Sequence, residues 1–303
     1  MVAEASEVEK VQVAGVGLRA RVRTEGLWRG VFRGLLRNRG ALVGLALLTV
    51  LLLLAVLADF VAPYQPNAIS PRNELQAPSG NHQFGTDQFG RDILSRIIHG
   101  TRLSFQVGFI AVGIALVCGV TLGLLSGYYG RWVDALAMMW IDIMLAFPGI
   151  LLALAIVAVL GPSLLNLMIA VGISAVPSYT RLVRGAVLAT KQQQYVEAAR
   201  VVGVSDTAIM FKHILPNVLA PVIVLATLGI GGAILTGASL SFLGLGAKPP
   251  TPEWGAMLST GRNYLTIAPW ITLFPGLAIM ITVLSINMLG DGLRDALDPR
   301  LKR

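Results

Sequence analysis

Six long apolar stretches, separated by polar or charged segments, dominate the pattern of this chain. They lie at residues 41–62, 103–130, 135–160, 164–180, 214–247 and 263–290. About 20 predominantly apolar residues cross the roughly 30 Å hydrocarbon core of a bilayer as a helix, and a helix satisfies its backbone hydrogen bonds internally. The pattern therefore predicts an all-α integral membrane protein with six transmembrane helices.

The composition supports the same class. Hydrophobic residues make up 55% of the 303 residues and charged residues only 13%, and the mean hydropathy is +0.72. A soluble globule of this length cannot bury so large an apolar fraction, so the bilayer is expected to be the main solvent.

The basic residues give the expected orientation. With the N-terminus placed inside, 18 of the 24 Lys and Arg residues fall on the inner side and six on the outer side. Short loops rich in Lys and Arg are retained in the cytoplasm. Both termini and the loop that contains Glu197 are therefore predicted to be cytoplasmic, and the net charge of +8 is a topology signal.

Residues 1–40 form the predicted cytoplasmic N-terminal region. Over residues 27–39 the apolar and basic positions recur with helical spacing, which predicts an amphipathic helix at the inner lipid interface. The apolar positions are Leu27, Trp28, Val31, Phe32, Leu35 and Leu36, and Arg29, Arg33 and Arg37 lie opposite. An ordinary basic flank before the first span is the alternative.

Residues 63–102, between the first two spans, are rich in proline, glycine and asparagine. They are predicted to form an extracytoplasmic loop, followed by a short helix on the outer surface that starts near Ile93. Asp87 and Asp92 fit helix caps or salt bridges better than metal ligands, because they lack the alternating oxygen donors of a calcium loop.

Small residues recur at every fourth position inside two spans. The positions are Gly119, Gly123 and Gly127 in the second span, and Gly229, Ala233, Gly237 and Ser241 in the fifth. Such stripes let helix backbones approach closely, so they are first predicted to be packing faces. A role of Gly237 and Ser241 in substrate passage is a further hypothesis.

Asp142 is the one acidic residue well within a predicted span. Burying it unpaired would cost several kcal/mol, so it should face a cavity or a donor. Structural pairing and a role in gating or passage are both open. The prolines at positions 148, 177, 221 and 275 are each expected to interrupt a helix.

The charged loop at residues 181–217 carries the most informative motif. It reads EAARVVGVSDTAIMFKHILPN from Glu197 to Asn217. Glu197, Ala198 and Ala199 are expected to end one short helix, and Gly203 permits a sharp reversal of the chain.

A second short helix is expected after this reversal, capped by Ser205 and ended by Pro216. Its apolar face would carry Val204, Ala208, Phe211 and Leu215. Two short helices joined rigidly to a span form a lever, and an apolar ridge beside charged residues is a surface that a groove on a cytoplasmic partner can bind.

The same turn also fits a DNA-binding helix-turn-helix, which needs a similar glycine reversal. The loop is too short for the supporting third helix, and its two acidic and five basic residues give no strong phosphate-binding surface. No nucleic-acid partner is therefore expected.

Catalytic motifs are absent from the sequence. The three histidines, at positions 82, 99 and 213, are far apart, and no metalloprotease, dithiol, hydrolase or nucleotide-binding P-loop motif occurs. Cys118 is most simply a small packing residue. The chain is predicted to be a non-catalytic membrane subunit without a cofactor of its own.

Several long stretches resemble one family. They are FGTDQFGRDILSRIIHGTRLS, GYYGRWVD, the motif from Glu197 to Asn217, LGLGAKPPTPEWGAMLS and FPGLAIMITVLSINMLGDGLRDALDPRLKR. Together they resemble the permease subunits of ABC importers, in particular the second, C-type permease subunit of the dipeptide, oligopeptide and nickel group. The resemblance spans about residues 30–303.

This resemblance implies the type I ABC importer permease fold in a bacterial or archaeal plasma membrane. The permease core would occupy residues 103–290, and residues 291–303 would form a cytoplasmic tail. The implied partners are a homologous permease subunit in a heterodimer, two ATPase subunits that bind ATP and Mg²⁺, and an extracytoplasmic substrate-binding protein.

By matching position, the residues that would contact the ATPase are Glu197, Ala198, Ala199, Gly203 and Pro216. Peptides are the expected cargo, with nickel complexes, glutathione and sugars left open. The alternative class is a stand-alone channel or an ion-coupled secondary transporter, which would be expected to show internal repeats with broken helices at mid-membrane.

Overall fold

The computed structural model describes residue 32 and residues 34–297, and in that part of the chain it contains helices but no β-strand. The helices are α1 (Arg39–Val56), α2 (Ala58–Val61), α3 (Ile93–Tyr129), α4 (Arg131–Leu145), α5 (Gly149–Leu160), α6 (Leu164–Lys191), α7 (Gln194–Val201), α8 (Asp206–Phe242), α9 (Trp254–Gly261) and α10 (Trp270–Leu297). Two short 3₁₀ turns occupy Pro71–Asn73 and Arg262–Tyr264. The predicted all-α architecture is confirmed.

Within the described residues, four helices are long and apolar enough to cross a membrane: α1, α3, α8 and α10. The bent pair of α4 and α5 adds a fifth if the two form one span. The predicted fourth span lies in α6, which has 28 residues but is less apolar. Its polar residues Ser174, Ser178 and Tyr179 line a pocket between the helices.

The first span is shorter than predicted. Helix α1 ends at Val56, and the short helix α2 follows after a break at Leu57. The Arg102 guanidinium donates to the carbonyls of Ala55 and Val56, at 3.0 and 3.3 Å. Carbonyls in the last turn of a helix have no partner within the helix, so this arginine stabilises the early end of α1.

The predicted amphipathic helix at residues 27–39 lies mostly outside the described residues, as does the tail beyond residue 297. Residues 34–37 are helical. A Cβ atom on Gly34 would lie 2.9 Å from the Cβ of Ala296, so this segment packs against the end of α10. That helix continues into the predicted cytoplasmic tail, to Leu297.

A separate surface helix starting near Ile93 was a wrong prediction, because α3 runs without a break for 37 residues. Its N-terminus is capped by Asp92, whose carboxylate accepts the N–H of Ser95 at 2.8 Å. No proline lies within α3, so nothing ends the helix between its surface turns and the predicted second span.

The third apolar stretch is broken. Helices α4 and α5 meet at an angle of 90°, and the residues between them end in Pro148. The predicted interruption at this proline is therefore confirmed. The other three, Pro177, Pro221 and Pro275, lie inside helices that continue past them, so the chain is not broken there and bending at those positions stays a prediction.

The glycine stripe of α3 packs against α6, as predicted. A Cβ atom on Gly119 would lie 2.5 Å from the Cβ of Tyr179, and one on Gly123 would lie 2.7 Å from the carbonyl oxygen of Thr180. Only glycine permits such close approach of two helix backbones. Helices α3 and α6 consequently form the centre of the bundle.

Candidate functional site

The predicted loop at residues 181–217 begins later than expected, because α6 continues to Lys191. Its last turns face α4 through two ion pairs. Arg184 donates to both carboxylate oxygens of Asp134, at 2.5 and 2.6 Å. Arg181 donates to one oxygen of Asp142 at 2.6 Å. Asp142 is thus paired in the structure, and its role in gating or passage stays a prediction.

The chain reverses at Gly203, as the sequence predicted. This residue has φ +84°, and the space around an added Cβ atom is open. The glycine is therefore required for its left-handed backbone conformation and not for close packing. The N–H of Val204 closes the turn by donating to the carbonyl of Ala199 at 3.0 Å.

The second helix after the reversal differs from the prediction. Ser205 caps it, accepting the N–H of Ala208 at 3.4 Å. Pro216 does not end it, because α8 runs on from Asp206 to Phe242. Residues Ile209–Ile214 form a π-helical turn, and this wider turn accommodates a proline two residues later.

The π-turn also changes which side chains are buried. Ile209, Met210 and Ile214 are buried, whereas Phe211 is exposed. The predicted apolar face shared by Val204, Ala208, Phe211 and Leu215 is therefore not a single exposed ridge. Inserting one residue into a helical turn rotates the following positions, and the sequence pattern assumed regular α-helical spacing.

The reversing segment is fixed to the ends of α3 and α6 by a buried apolar cluster. Its members are Leu124, Tyr128, Val183, Val187, Val196, Ile209, Met210, Ile214, Val218 and Val222. The Tyr128 hydroxyl donates to Asp206 at 2.5 Å, and the Lys191 ammonium donates to the Tyr128 carbonyl. These contacts make the segment a rigid extension of the bundle.

A small exposed surface remains on this segment, formed by Glu197, Ala198, Val201, Val202 and Gly203. We call it the coupling surface. Val201 and Val202 are 86% and 82% exposed and lie outside the predicted spans, where lipid would not cover them. Sequence reasoning missed both valines, although two adjacent β-branched residues before a reversing glycine were a visible signal.

The remaining predicted contact residues lie near this surface in the sequence. Ala199 is half-buried, because it packs against the apolar cluster described above. Pro216 is exposed on α8. Whether any of these residues contacts an ATPase stays a prediction.

Gly237 and Ser241, the predicted passage residues, are both buried. A Cβ atom on Gly237 would lie 2.6 Å from the Cγ1 of Val107, and one on Gly255 would lie 2.8 Å from the Cβ of Ser241. Both therefore occupy close helix contacts. Their role in passage stays a prediction.

On the predicted outer side, Asp87 and Asp92 are engaged by protein donors. Asp87 accepts the Arg91 guanidinium at 2.6 Å. Asp92 accepts the Ser95 hydroxyl at 2.7 Å and lies 2.9 Å from His82 Nδ1. Helix capping and salt bridges, the preferred interpretation, are confirmed for these carboxylates.

Glu253 is a buried carboxylate in the loop between α8 and α9. Its two oxygens cap α9 by accepting the N–H groups of Gly255 and Ala256, each at 2.9 Å. Burial raises its pKa, and the two backbone hydrogen bonds partly oppose that rise. By contrast, hydrogen bonds from Arg102 and then His99 lower the pKa of the exposed Asp59 carboxyl.

A pocket of about 240 Å³ lies where α3, α6 and α8 meet. Ser174, Ser178, Tyr179 and Thr236 give it four hydroxyl groups, so we call it the hydroxyl pocket. A larger cavity of about 440 Å³ lies between α8 and α10. Its lining is apolar except for Ser239, whose hydroxyl already donates to Leu235 within the helix.

Comparisons with known proteins agree with this architecture. Residues 119–303 match the family described as the binding-protein-dependent transport system inner membrane component. Residues 26–78 match the N-terminal transmembrane domain of oligopeptide transport permease C.

Curated relatives are similar over nearly the whole chain. The dipeptide transport system permease protein DppC of Alkalihalophilus pseudofirmus is 55% identical over 275 residues, which cover 91% of this chain and 90% of the relative. The glutathione transport system permease protein GsiD of Pectobacterium atrosepticum is 47% identical over 276 residues, covering 91% and 92%. The di/tripeptide transport system permease protein DppC of Pseudomonas aeruginosa is 48% identical over 271 residues, covering 88% and 89%.

Among solved structures, a chain of the MetNI methionine ABC transporter in an inward-facing conformation has a TM-score of 0.54 at 20% identity. The match covers 67% of this chain and 96% of that chain, and at this identity it shows a shared fold alone. The family matches and the curated relatives show the family of the chain as well as its fold. The chain belongs to the inner-membrane permease components of binding-protein-dependent ABC importers, as a C-type subunit of the dipeptide and oligopeptide group.

Proposed function

We propose that this chain forms half of the translocation pore of an ATP-driven importer of dipeptides or oligopeptides. The names of its relatives support peptides as the cargo, and glutathione, itself a short peptide, belongs to the same chemical class. The chain supplies no catalytic group. Partner ATPase subunits bind ATP and Mg²⁺, a homologous permease completes the pore, and an extracytoplasmic binding protein delivers the substrate.

The observation that carries the proposal is the exposure of the coupling surface. Val201 and Val202 stand beside Glu197, on a segment held rigidly by the apolar cluster. Covering two aliphatic side chains of this kind is favourable by roughly 1.5–3 kcal/mol each. A cytoplasmic partner with an apolar groove is the complement of this surface.

The same contacts explain how force reaches the bundle. Val196, Ile209 and Ile214 pack against residues of α3 and α6 in one buried cluster, so the coupling surface cannot move without them. When ATP binding draws the two ATPases together, the attached helices rotate and the pore opens to the other side. Both termini and the coupling surface lie in the cytoplasm in this arrangement.

The test uses the complete complex, reconstituted in liposomes with its binding protein. We expect the double variant Val201→Asp and Val202→Asp to lose peptide-stimulated ATP hydrolysis and peptide uptake, because two carboxylates prevent apolar docking. The subunit should remain in the membrane, since both side chains already face solvent.

Ile69→Asp is the matched control, because Ile69 is also largely exposed but lies in the predicted outer loop. It should leave ATP hydrolysis unchanged. Unchanged stimulation in the double valine variant would refute the proposed docking. Peptide flux through the purified chain alone, without ATP, would favour the channel or secondary-transporter alternative.

A further inference from the structure

The hydroxyl pocket is built from one face of each of three helices. Its lining from α6 is Val171, Ser174, Ala175, Ser178 and Tyr179, its lining from α8 is Leu225, Gly229, Gly232, Ala233 and Thr236, and α3 adds Ala111 and Val112. On both α6 and α8 these positions recur three or four residues apart, which places them on a single helical face.

Two of its four hydroxyls have no hydrogen-bond partner among the described residues, whereas Ser174 donates to the Val171 carbonyl at 2.9 Å and Tyr179 to the Leu225 carbonyl at 3.3 Å. In the spanning helices, threonines normally donate to the carbonyl four residues earlier, as Thr180 and Thr227 do at 2.9 Å. Within residues 34–297, the Thr236 and Ser178 hydroxyls make no such bond. Thr236 is half-buried and Ser178 is exposed, so both hydroxyls are free to bond water or a ligand.

Two glycines of α8 create the free space of the hydroxyl pocket. A Cβ atom on Gly229 would lie 2.2 Å from the Tyr179 hydroxyl oxygen, so this glycine makes room for the tyrosine. A Cβ atom on Gly232 would meet no atom within 4 Å. Gly232 and Ser178 are exposed, so the pocket opens to the surface of the subunit there.

We propose that the hydroxyl pocket binds the uncharged backbone of a peptide during its passage, an inference that rests on the proposed function. A peptide group carries one donor and one acceptor, and a hydroxyl group can serve either. None of the lining residues carries a charge, so a charged side chain would be poorly compensated there. Contacts to the backbone do not depend on the side chains, so peptides of different sequence can bind in this way provided that their charged groups lie outside the pocket.

The first test fills the pocket in the reconstituted complex. Gly232→Leu fits the open space and should lower the rate of peptide uptake about tenfold, equal to about 1.4 kcal/mol. Thr236→Val removes one hydroxyl at nearly constant shape and should raise KM about fivefold, the value of one hydrogen bond of about 1 kcal/mol.

Two matched controls separate binding from folding. Gly113 on α3 also has open space around an added Cβ atom but does not line the pocket, so Gly113→Leu should transport normally. Thr227 lies on α8, with its hydroxyl bonded inside the helix, and Thr227→Val should leave KM unchanged.

A second test asks whether water reaches the pocket. In a Cys118→Ala background, Ser178→Cys should react with a charged, membrane-impermeant thiol reagent, and saturating dipeptide should slow the reaction. Burial against lipid or against the partner permease would leave this cysteine unreactive and would overturn the inference.

The two proposals fail in different ways. If the wild-type complex imports no peptide, the proposed function and this inference fall together. If the wild type and Gly232→Leu import peptide equally well, only the assignment of the hydroxyl pocket is overturned.

Discussion

Arg184 binds Asp134 at two points, with its Nε atom 2.5 Å from Oδ1 and its Nη2 atom 2.6 Å from Oδ2. Three residues earlier, Arg181 binds Asp142 through a single nitrogen. Both pairs join α6 to α4. The helix that leads into the coupling surface is therefore held to the helix that precedes the 90° break.

We expect the Arg184–Asp134 pair to contribute more stability than the Arg181–Asp142 pair. Its side chains are 32% and 21% exposed, against 55% and 61% for the second pair, and exposed ion pairs contribute little because water and salt screen them. A double-mutant cycle with Arg184→Gln and Asp134→Asn, scored by the Tm of the purified complex, should give a coupling free energy of about 1 kcal/mol.

The equivalent cycle with Arg181→Gln and Asp142→Asn serves as the comparison, and its coupling free energy should be near zero. Equal coupling free energies would contradict the ranking. Peptide uptake by Asp142→Asn addresses the gating hypothesis at the same time, because a purely structural residue should change Tm and uptake in proportion.

Replacing Gly203 should destabilise the reversal without any steric clash. Its φ of +84° lies in the left-handed region, where a side chain costs about 1–2 kcal/mol. Gly203→Ala should accordingly lower the Tm of the complex and weaken ATPase stimulation, and Gly203→Asn should do so less.

Gly185→Ala is the control for this change, since Gly185 lies inside α6, where an added Cβ atom meets nothing within 4 Å. Alanine is favoured over glycine in a helix by about 1 kcal/mol, so this variant should match or exceed the wild type in Tm. A lower Tm for Gly185→Ala than for Gly203→Ala would show that the backbone argument is wrong.

Enlarging Gly123 should separate α3 from α6. A Cβ atom there would lie 2.7 Å from both the Thr180 carbonyl oxygen and the Val183 Cβ, and overpacking of this kind costs about 1–3 kcal/mol. Gly123→Val should reduce the yield of assembled complex in a membrane extract. Gly113→Val, at an open position of the same helix, should assemble normally.

The stability contributed by Glu253 should fall as pH rises. Burial raises the pKa of this carboxyl in the folded protein, so the folded state holds a proton that the unfolded state releases above its ordinary pKa of about 4.3. The contribution is present below the unfolded pKa and is lost as pH rises through the raised folded pKa. The Tm of Glu253→Gln should decline less than that of the wild type across this window.

The pKa of Asp59 is shifted in the opposite direction to that of Glu253, so its contribution to stability should depend on pH in the opposite way. Arg102 and His99 lower its pKa in the folded protein, so its contribution is present above the ordinary pKa and is lost as pH falls through the lowered one. Asp59→Asn should remove stability at neutral pH and change little at strongly acidic pH. A Tm difference that runs the same way for Asp59→Asn and Glu253→Gln would contradict the assignment.

The features predictable from sequence were those with a strong local signal. The apolar stretches indicated the helices of the bundle, the stripe at Gly119 and Gly123 indicated a close helix contact, and Gly203 indicated the reversal. Each depends on composition or on one residue's backbone freedom, so no knowledge of the tertiary contacts was needed.

The errors arose where tertiary contacts or an irregular turn decided the outcome. The π-turn at Ile209–Ile214 shifted the buried face of α8, which regular spacing could not anticipate. The last turns of α6, which ends at Lys191, carry the arginines that pair with α4, and the sequence alone did not show these contacts. The hydroxyl pocket brings Ser178 together with Thr236, and only the packing of α6 against α8 makes them neighbours.

The right angle at Pro148 limits what the third apolar stretch can transmit. A pull on Asp134 along the axis of α4 is perpendicular to α5, so it tilts α5 about the bend instead of sliding it lengthwise. The portion before the bend can therefore shift along its own axis without an equal lengthwise shift of the portion after it.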